Sequence, residues 1–214
     1  VPIMLFLAAA MALALDSMKL HGTKFFRIST FLPYAVPAVV STMIWGFVYG
    51  AKYGLVGSLN DFLGTNIDVL NPDVLLASIA NINTWEYAGY NMLIFLAALQ
   101  AIPHELYEAA RIDGASGWQI SMRIKLPNVR SAALLSMLLS IVGTIQLFNE
   151  PQIMSTADPG ISKSYTPMMM AMNTSQGTIT PSGDGPASAI AIVMALIAGV
   201  LAVLYTLAER KVNE

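Results

Sequence analysis

Apolar residues gather in five runs, at about 1–15, 28–50, 74–101, 132–149 and 187–208, and every charged residue except Glu86 lies outside them. A helix that crosses a hydrocarbon core needs about 20 residues, so most of these runs predict membrane-spanning helices. The first is the exception. It holds only some fifteen apolar residues, opens on Val1 and has no basic residue ahead of it, which reads as a truncated helix. Ala10, Ala12 and Ala14 resemble small cleavage-site residues of a secretory signal, but the basic leader that such a signal needs is missing.

Irregularities within the runs say more than the runs themselves. In the second, Pro33 and Pro37 lie four residues apart around Tyr34, and each removes a backbone donor, so the helix kinks or breaks there. Two readings fit Tyr34: it projects into an interior space beside the break, or it sits in the interfacial aromatic belt. In the third, Asn81, Asn83, Thr84, Glu86, Tyr87, Tyr90 and Asn91 interrupt the apolar span. Asn83, Glu86, Tyr87 and Tyr90 follow i, i+3, i+4, i+7 spacing and so share one helical face. An ionisable residue in a membrane helix faces the bundle interior or a water-filled path, which makes Glu86 a functional candidate. The alternative starts this helix nearer Tyr87 and leaves Asn81 to Glu86 in the outer interface, with Trp85 as anchor. The last run carries Ala187, Ala191, Ala195, Ala198, Gly199 and Ala202 three or four apart, a close-packing face for the bundle or a partner subunit.

Between the third and fourth runs, Pro103 suits the first position of a short helix and Gly114 its stop, enclosing residues 104–113. Such a helix is too short to persist alone and needs a partner surface. Its acidic residues, Glu105, Glu108 and Asp113, make it a poor match for anionic lipid. Residues 178–186, rich in Gly, Pro, Ser and Thr, read as an outer loop.

Composition then fixes the class. The chain is 56% hydrophobic and 11% charged, with a mean hydropathy of +0.62, against roughly a quarter charged in soluble domains. Having no cysteine, it carries no disulfide framework, thiolate metal site or thiol nucleophile. The net charge of -2 matters less than its layout: Lys19, Lys24, Arg27, Arg111, Arg123, Lys125, Arg130, Arg210 and Lys211 occupy alternate connecting segments, leaving only Lys52 and Lys163 for the others. By the positive-inside rule, segments 16–27, 102–131 and 209–214 face the cytoplasm, and 51–73 and 150–186 face outward. The expected architecture is an all-α integral membrane protein, a bundle of about five helices forming one transmembrane domain over 1–214, with a cytoplasmic helix-bearing loop at 102–131.

Three negatives narrow the chemistry. No G-x-x-x-x-G-K-[ST] loop occurs, so ATP is not expected to bind this chain. His21 and His104 are isolated and read as surface residues. Met168, Met169, Met170 and Met172 could suggest copper but fit flexible contact surface better.

Glu108-Ala109-Ala110, then Gly114, then Ile124, Leu126 and Pro127 spell E-A-A-x3-G-x9-I-x-L-P. This pattern, with Leu106-Tyr107 before it and Trp118-Gln119 within it, resembles the coupling loop of bacterial ABC importer permeases. Leu32-Pro33-Tyr34-Ala35-Val36-Pro37 and Asn83-Thr84-Trp85 look like the maltose-type sugar permeases, in particular the subunit that pairs with a second permease. The resemblance covers essentially the whole chain and implies six helices, one of them ahead of Val1. It implies a multi-pass subunit of the bacterial cytoplasmic membrane with no cofactor of its own, ATP and magnesium belonging to separate ATPase subunits. The further partners it implies are a second permease subunit, an extracytoplasmic sugar-binding protein and membrane lipid, with no nucleic acid. Carried over, Glu108, Ala109, Ala110, Asp113, Gly114, Leu126 and Pro127 couple to the ATPase, while Tyr34, Asn83, Glu86, Tyr87, Tyr90, Gly143 and Thr144 line the solute path. Ser121 and Ser131 depart from the family pattern, which more often has an aromatic and a proline there. The implied function is import of a mono- or oligosaccharide. Import of a polyol or glycerol phosphate by the same fold is one alternative, an intramembrane enzyme is a more distant one, and a purely structural subunit leaves the polar face of the third run without a purpose.

Overall fold

With almost every polar backbone group needing an internal partner, the chain folds as helix nearly throughout. The computed structural model describes residues 1–17, 22–157 and 160–213. The helices are α1 Pro2–Ser17, α2 Thr23–Ala35, α3 Ala38–Tyr49, α4 Gly54–Leu63, α5 Leu75–Gln100, α6 His104–Ile112, α7 Gly117–Ile120, α8 Leu126–Asn128, α9 Arg130–Ile145, α10 Asn149–Ala157, α11 Pro167–Ser175 and α12 Asp184–Asn213. A single π-helical turn, Ser121–Lys125, joins α7 to α8. Lys19 and His21 lie outside the described residues.

Several expectations change in detail. The second run is two helices, broken at Val36-Pro37; Pro33 lies inside α2 without ending it, whereas Pro37 caps α3. The alternative start near Tyr87 is overturned, because α5 begins at Leu75 and Glu86 lies well inside it. Segment 150–186, expected to face outward, holds α10 and α11 besides loop, and the Gly- and Pro-rich stretch is non-helical only over 178–183, since α12 starts at Asp184. Among the described residues, Arg130–Thr156 and Asp184–Lys211 are long and apolar enough to cross a membrane, and α2 taken with α3 and α4 makes a broken third. α1 is apolar but only 16 residues long. α5 has the length, 26 residues, but its asparagines, Glu86 and tyrosines dilute it.

The chain divides into two compact units. The first comprises Val1–Ala35, Trp85–Ile141 and Val200–Glu214. Its core pairs Ala8, Ala12 and Leu15 of α1 with Met92, Phe95, Leu96 and Leu99 of α5, and continues through Ile102, Tyr107, Ile120 and Val129. Alanines at i, i+4 let two helices approach closely, the usual means of packing where lipid gives apolar side chains no reason to leave it. α2 approaches α5 as closely: a Cβ added to Gly89 would sit 1.9 Å from the Thr30 carbonyl oxygen. Only glycine fits that crossing.

The second unit comprises Val36–Thr84 and Val142–Gly199. Tyr49, Leu75, Ile79, Ile82, Met154 and Ile161 form its core, with α10 packed on α3. Tyr49 donates to the Ser78 carbonyl at 3.2 Å and accepts from Asn81 Nδ2 at 2.7 Å. Asn60 ties down the stretch after α4, donating to the Ile67 carbonyl at 2.8 Å and accepting from the Ile67 amide and the Thr65 hydroxyl, each at 2.9 Å. A cavity of about 360 Å³ in this unit is lined by Thr42, Met43, Gly46, Tyr53, Leu70, Leu75, Ile153, Met154, Thr156 and Ile161.

The small-residue face is not covered by the chain's own bundle, one of the two partners expected for it. Ala191, Ala195, Gly199 and Ala202 are exposed and only Ala187 and Ala198 are partly covered, so no other part of the described chain takes up this face.

Candidate functional site

The loop at 102–131 is built from local signals. Pro103, with φ -57° and ψ 136°, caps α6 from just outside it, one position earlier than expected. Glu105 in the first turn and Arg111 in the last complement the helix dipole. At the other end the Gly114 amide donates to the Arg111 carbonyl at 3.1 Å and the Ala115 amide to that of Ala110 at 2.9 Å, the paired bonds of a Schellman stop. This stop needs Gly114 at φ +79°, a conformation that costs any residue with a Cβ. Next comes a capping box: the Ser116 amide donates to Gln119 Oε1 at 2.7 Å, and the Gln119 amide donates to Ser116 Oγ at 3.3 Å.

These stops fix which side of α6 faces inward. Tyr107 is buried and Ala110 packs on the same core, while Glu108, Ala109, Asp113 and Gly114 are exposed. Exposed apolar side chains stand beside them: Leu106, Ile112 at 86% and Trp118 at 72%. Leu126 is exposed and Pro127 half-buried. His104 is exposed as expected, its ring meeting that of Tyr107 edge-on at 5.9 Å.

Sequence reasoning missed what lies under the loop. Lys125 Nζ is 2.6 Å from Asp16 Oδ2 and 5.5 Å from the centre of the Tyr107 ring. Burial first, and the Asp16 carboxylate second, push the Tyr107 hydroxyl above the usual phenol range, so the ring beside the lysine stays neutral. The available signal was a lysine inside the apolar run Ile124-Lys125-Leu126 and an aspartate closing an apolar helix.

Around α2 and α5 the close crossing at Gly89 sets the tyrosines together. Tyr34 stacks on Tyr90, with ring centres 4.8 Å apart and planes 20° apart, and meets Tyr87 edge-on at 5.7 Å. Phe31, which sequence reasoning passed over, leans on Tyr34 at 5.3 Å. Glu86 is buried, 3% exposed, while Tyr34 and Tyr87 keep an open face. The first unit therefore brings Tyr34, Tyr87 and Tyr90 together. Asn83, Gly143 and Thr144 belong to the second unit, where Asn83 donates to the Ile79 carbonyl at 3.2 Å and Gly143 and Thr144 are exposed. Of the methionine group, Met169 is buried and Met168, Met170 and Met172 are exposed. Among the described residues no cluster of His, Cys, Asp and Glu could hold a metal ion.

The family model described as "Binding-protein-dependent transport system inner membrane component" matches residues 4–214, and the chain belongs to that family. A protein of Pyrococcus horikoshii named "Probable ABC transporter permease protein" is 30% identical over 96% of this chain and 70% of its own length. The lactose transport system permease of Rhizobium radiobacter is 31% identical over 99% of this chain and 72% of its own. The trehalose/maltose transport system permease of Thermococcus litoralis is 31% identical over 72% of this chain, which spans about half of that relative. Among solved structures, a bacterial ABC transporter for the acidic polysaccharide alginate superposes with a TM-score of 0.79, at 22% identity, over 97% of this chain and 73% of that one, a likeness of fold.

Proposed function

We propose that this member of the binding-protein-dependent inner membrane components is the permease subunit of an ATP-driven importer, and that its cargo is a mono- or oligosaccharide. The 214 residues act as one transmembrane domain, whose partners are a second permease, ABC ATPase subunits and an extracytoplasmic sugar-binding protein. The observation that carries the importer reading is the loop. α6 is stopped at both ends, buries Tyr107 and half-buries Ala110, and leaves Leu106 and Ile112, with Trp118 of α7, uncovered around Glu108, Ala109 and Asp113. A short helix with an unsatisfied apolar face needs a partner. A cleft in an ATPase subunit supplies one, with Gly114, Leu126 and Pro127 holding the helix at its angle.

The sugar reading rests on chemistry and on relatives. Stacked tyrosines give apolar surface to a sugar ring, and amides and a carboxylate bond its hydroxyls. Tyr34, Tyr87 and Tyr90 of the first unit supply the rings and Glu86 the carboxylate, while Asn83, Gly143 and Thr144 of the second unit are solute-path positions on the family resemblance alone. Relatives about 30% identical carry names for lactose and for trehalose and maltose transport. On this reading, closure of the ATPase pulls the loop and opens the bundle to the loaded binding protein.

The test is ATP hydrolysis by the co-expressed complex in lipid, with candidate binding proteins and their sugars added in turn. One sugar-loaded binding protein should stimulate hydrolysis, and Gly114→Val, which strains the positive-φ stop, should remove that stimulation. Tyr90→Ala should assemble but lose uptake. Indifference to every sugar-loaded binding protein would defeat the carbohydrate reading, and indifference to Gly114→Val would defeat the coupling role.

A further inference from the structure

A lysine is an unlikely choice for the underside of the loop if packing were all that mattered. Lys125 is buried, its Nζ 5.5 Å from the centre of the Tyr107 ring, where a leucine would fill space without desolvating a charge. Its Nζ instead meets Asp16 Oδ2 at 2.6 Å, with Ser17 Oγ at 3.4 Å, both in the last turn of α1. Exposed ion pairs are pliant and worth little. The Lys125–Asp16 pair differs: with side chains 9% and 16% exposed it is largely shielded from solvent, and such a pair constrains position more than it adds stability.

Three elements therefore meet at one charge: the last turn of α1, the π-helical turn, and α6 through Tyr107. We infer that the Lys125–Asp16 pair is a strut that carries movement of the cytoplasmic loop into α1, with Lys125 a positioning residue for coupling; the inference rests on the importer reading. From Asp16 the contact continues through Ala8, Ala12 and Leu15 to Met92, Phe95, Leu96 and Leu99 of α5. The turns of α5 just before these residues bear Tyr87 and Tyr90. A push on the exposed face of α6 thus has a packed route to the tyrosines that does not pass along the α5–α6 connection. Contiguity proposes the route, and only a coupling measurement establishes it.

That measurement compares Lys125→Met, Asp16→Asn and the charge exchange Asp16→Lys with Lys125→Asp, each in the full complex in lipid. Either single substitution should leave assembly and unstimulated ATP hydrolysis unchanged while stimulated hydrolysis and uptake fall roughly tenfold, inside the 5–150-fold span of ordinary coupling energies. The exchange should recover most of the loss. Single variants that transport like the unchanged chain would overturn the strut. So would losses that the exchange leaves unrepaired, including loss of assembly, because these assign the residues to local folding. A complex that no loaded binding protein stimulates would defeat the importer reading instead. Amide hydrogen exchange on the co-purified assembly then decides the strut: Lys125→Met should raise exchange together in the last turn of α1 and in residues 120–129, and a rise confined to the loop would overturn it.

Discussion

The two longest helices invert each other. α5, of 26 residues, buries Glu86 and Asn91 together with Leu75, Ile79, Ile82, Met92, Phe95, Leu96 and Leu99. α12, of 30 residues, holds the more apolar continuous stretch, yet none of that stretch is buried. In water the order would be reversed, because apolar surface is what water expels. Lipid makes no such demand on α12, but it does demand that Glu86 and the asparagines be withdrawn. Within this chain polarity, not apolarity, marks the interior helix.

That contrast can be broken most sharply at Leu196, exposed near the middle of α12. Leu196→Arg should cost about 2.5–3.5 kcal/mol of insertion free energy if this face meets hydrocarbon. Membrane fractionation with a protease-accessibility tag would read it, and normal insertion would mean that the face meets water or protein. Next in size is Gly89→Ala on α5, whose new methyl group would collide with the Thr30 carbonyl. Forcing apart so tight a crossing costs about 1–3 kcal/mol, visible as lowered thermal stability in detergent. An unchanged midpoint would show that α2 and α5 do not cross at Gly89. The smallest effect belongs to Ala195→Leu, on the exposed small-residue side of α12. The purified chain should shift by no more than about 0.5 kcal/mol, and a larger shift would show that the chain covers this face itself.

What could be read in advance follows the same division. The helices with long apolar runs were legible because membrane crossing demands length, and α6 was legible because Pro103 and Gly114 bracket it. The side taken by α12 was not, since Ala191, Ala195 and Gly199 pack equally well against a helix or against lipid. α10 and α11 escaped notice for being short and mixed in character. Thr166-Pro167 was nonetheless a start signal: the Thr166 hydroxyl accepts from the Met169 amide at 3.2 Å, and the proline takes the first helical position. In the candidate site, the shared face of Tyr87 and Tyr90 was legible from spacing within one helix. Their stacking with Tyr34 was not, because it depends on the crossing at Gly89. Lys125 and Asp16 escaped for a similar reason, being at opposite ends of a tertiary contact that no periodicity encodes.

The π-helical turn Ser121–Lys125 sets the phase of everything after it. Turns of this kind carry one residue more than an α-helical turn, and each α-helical residue advances the helix by about 100°. Without that extra residue, Lys125 would swing away from Asp16, and Leu126 and Pro127 would rotate with it. The interval between Gly114 and Ile124 is therefore a measure of angle as well as length, which makes one inserted or deleted residue there more disruptive than most substitutions.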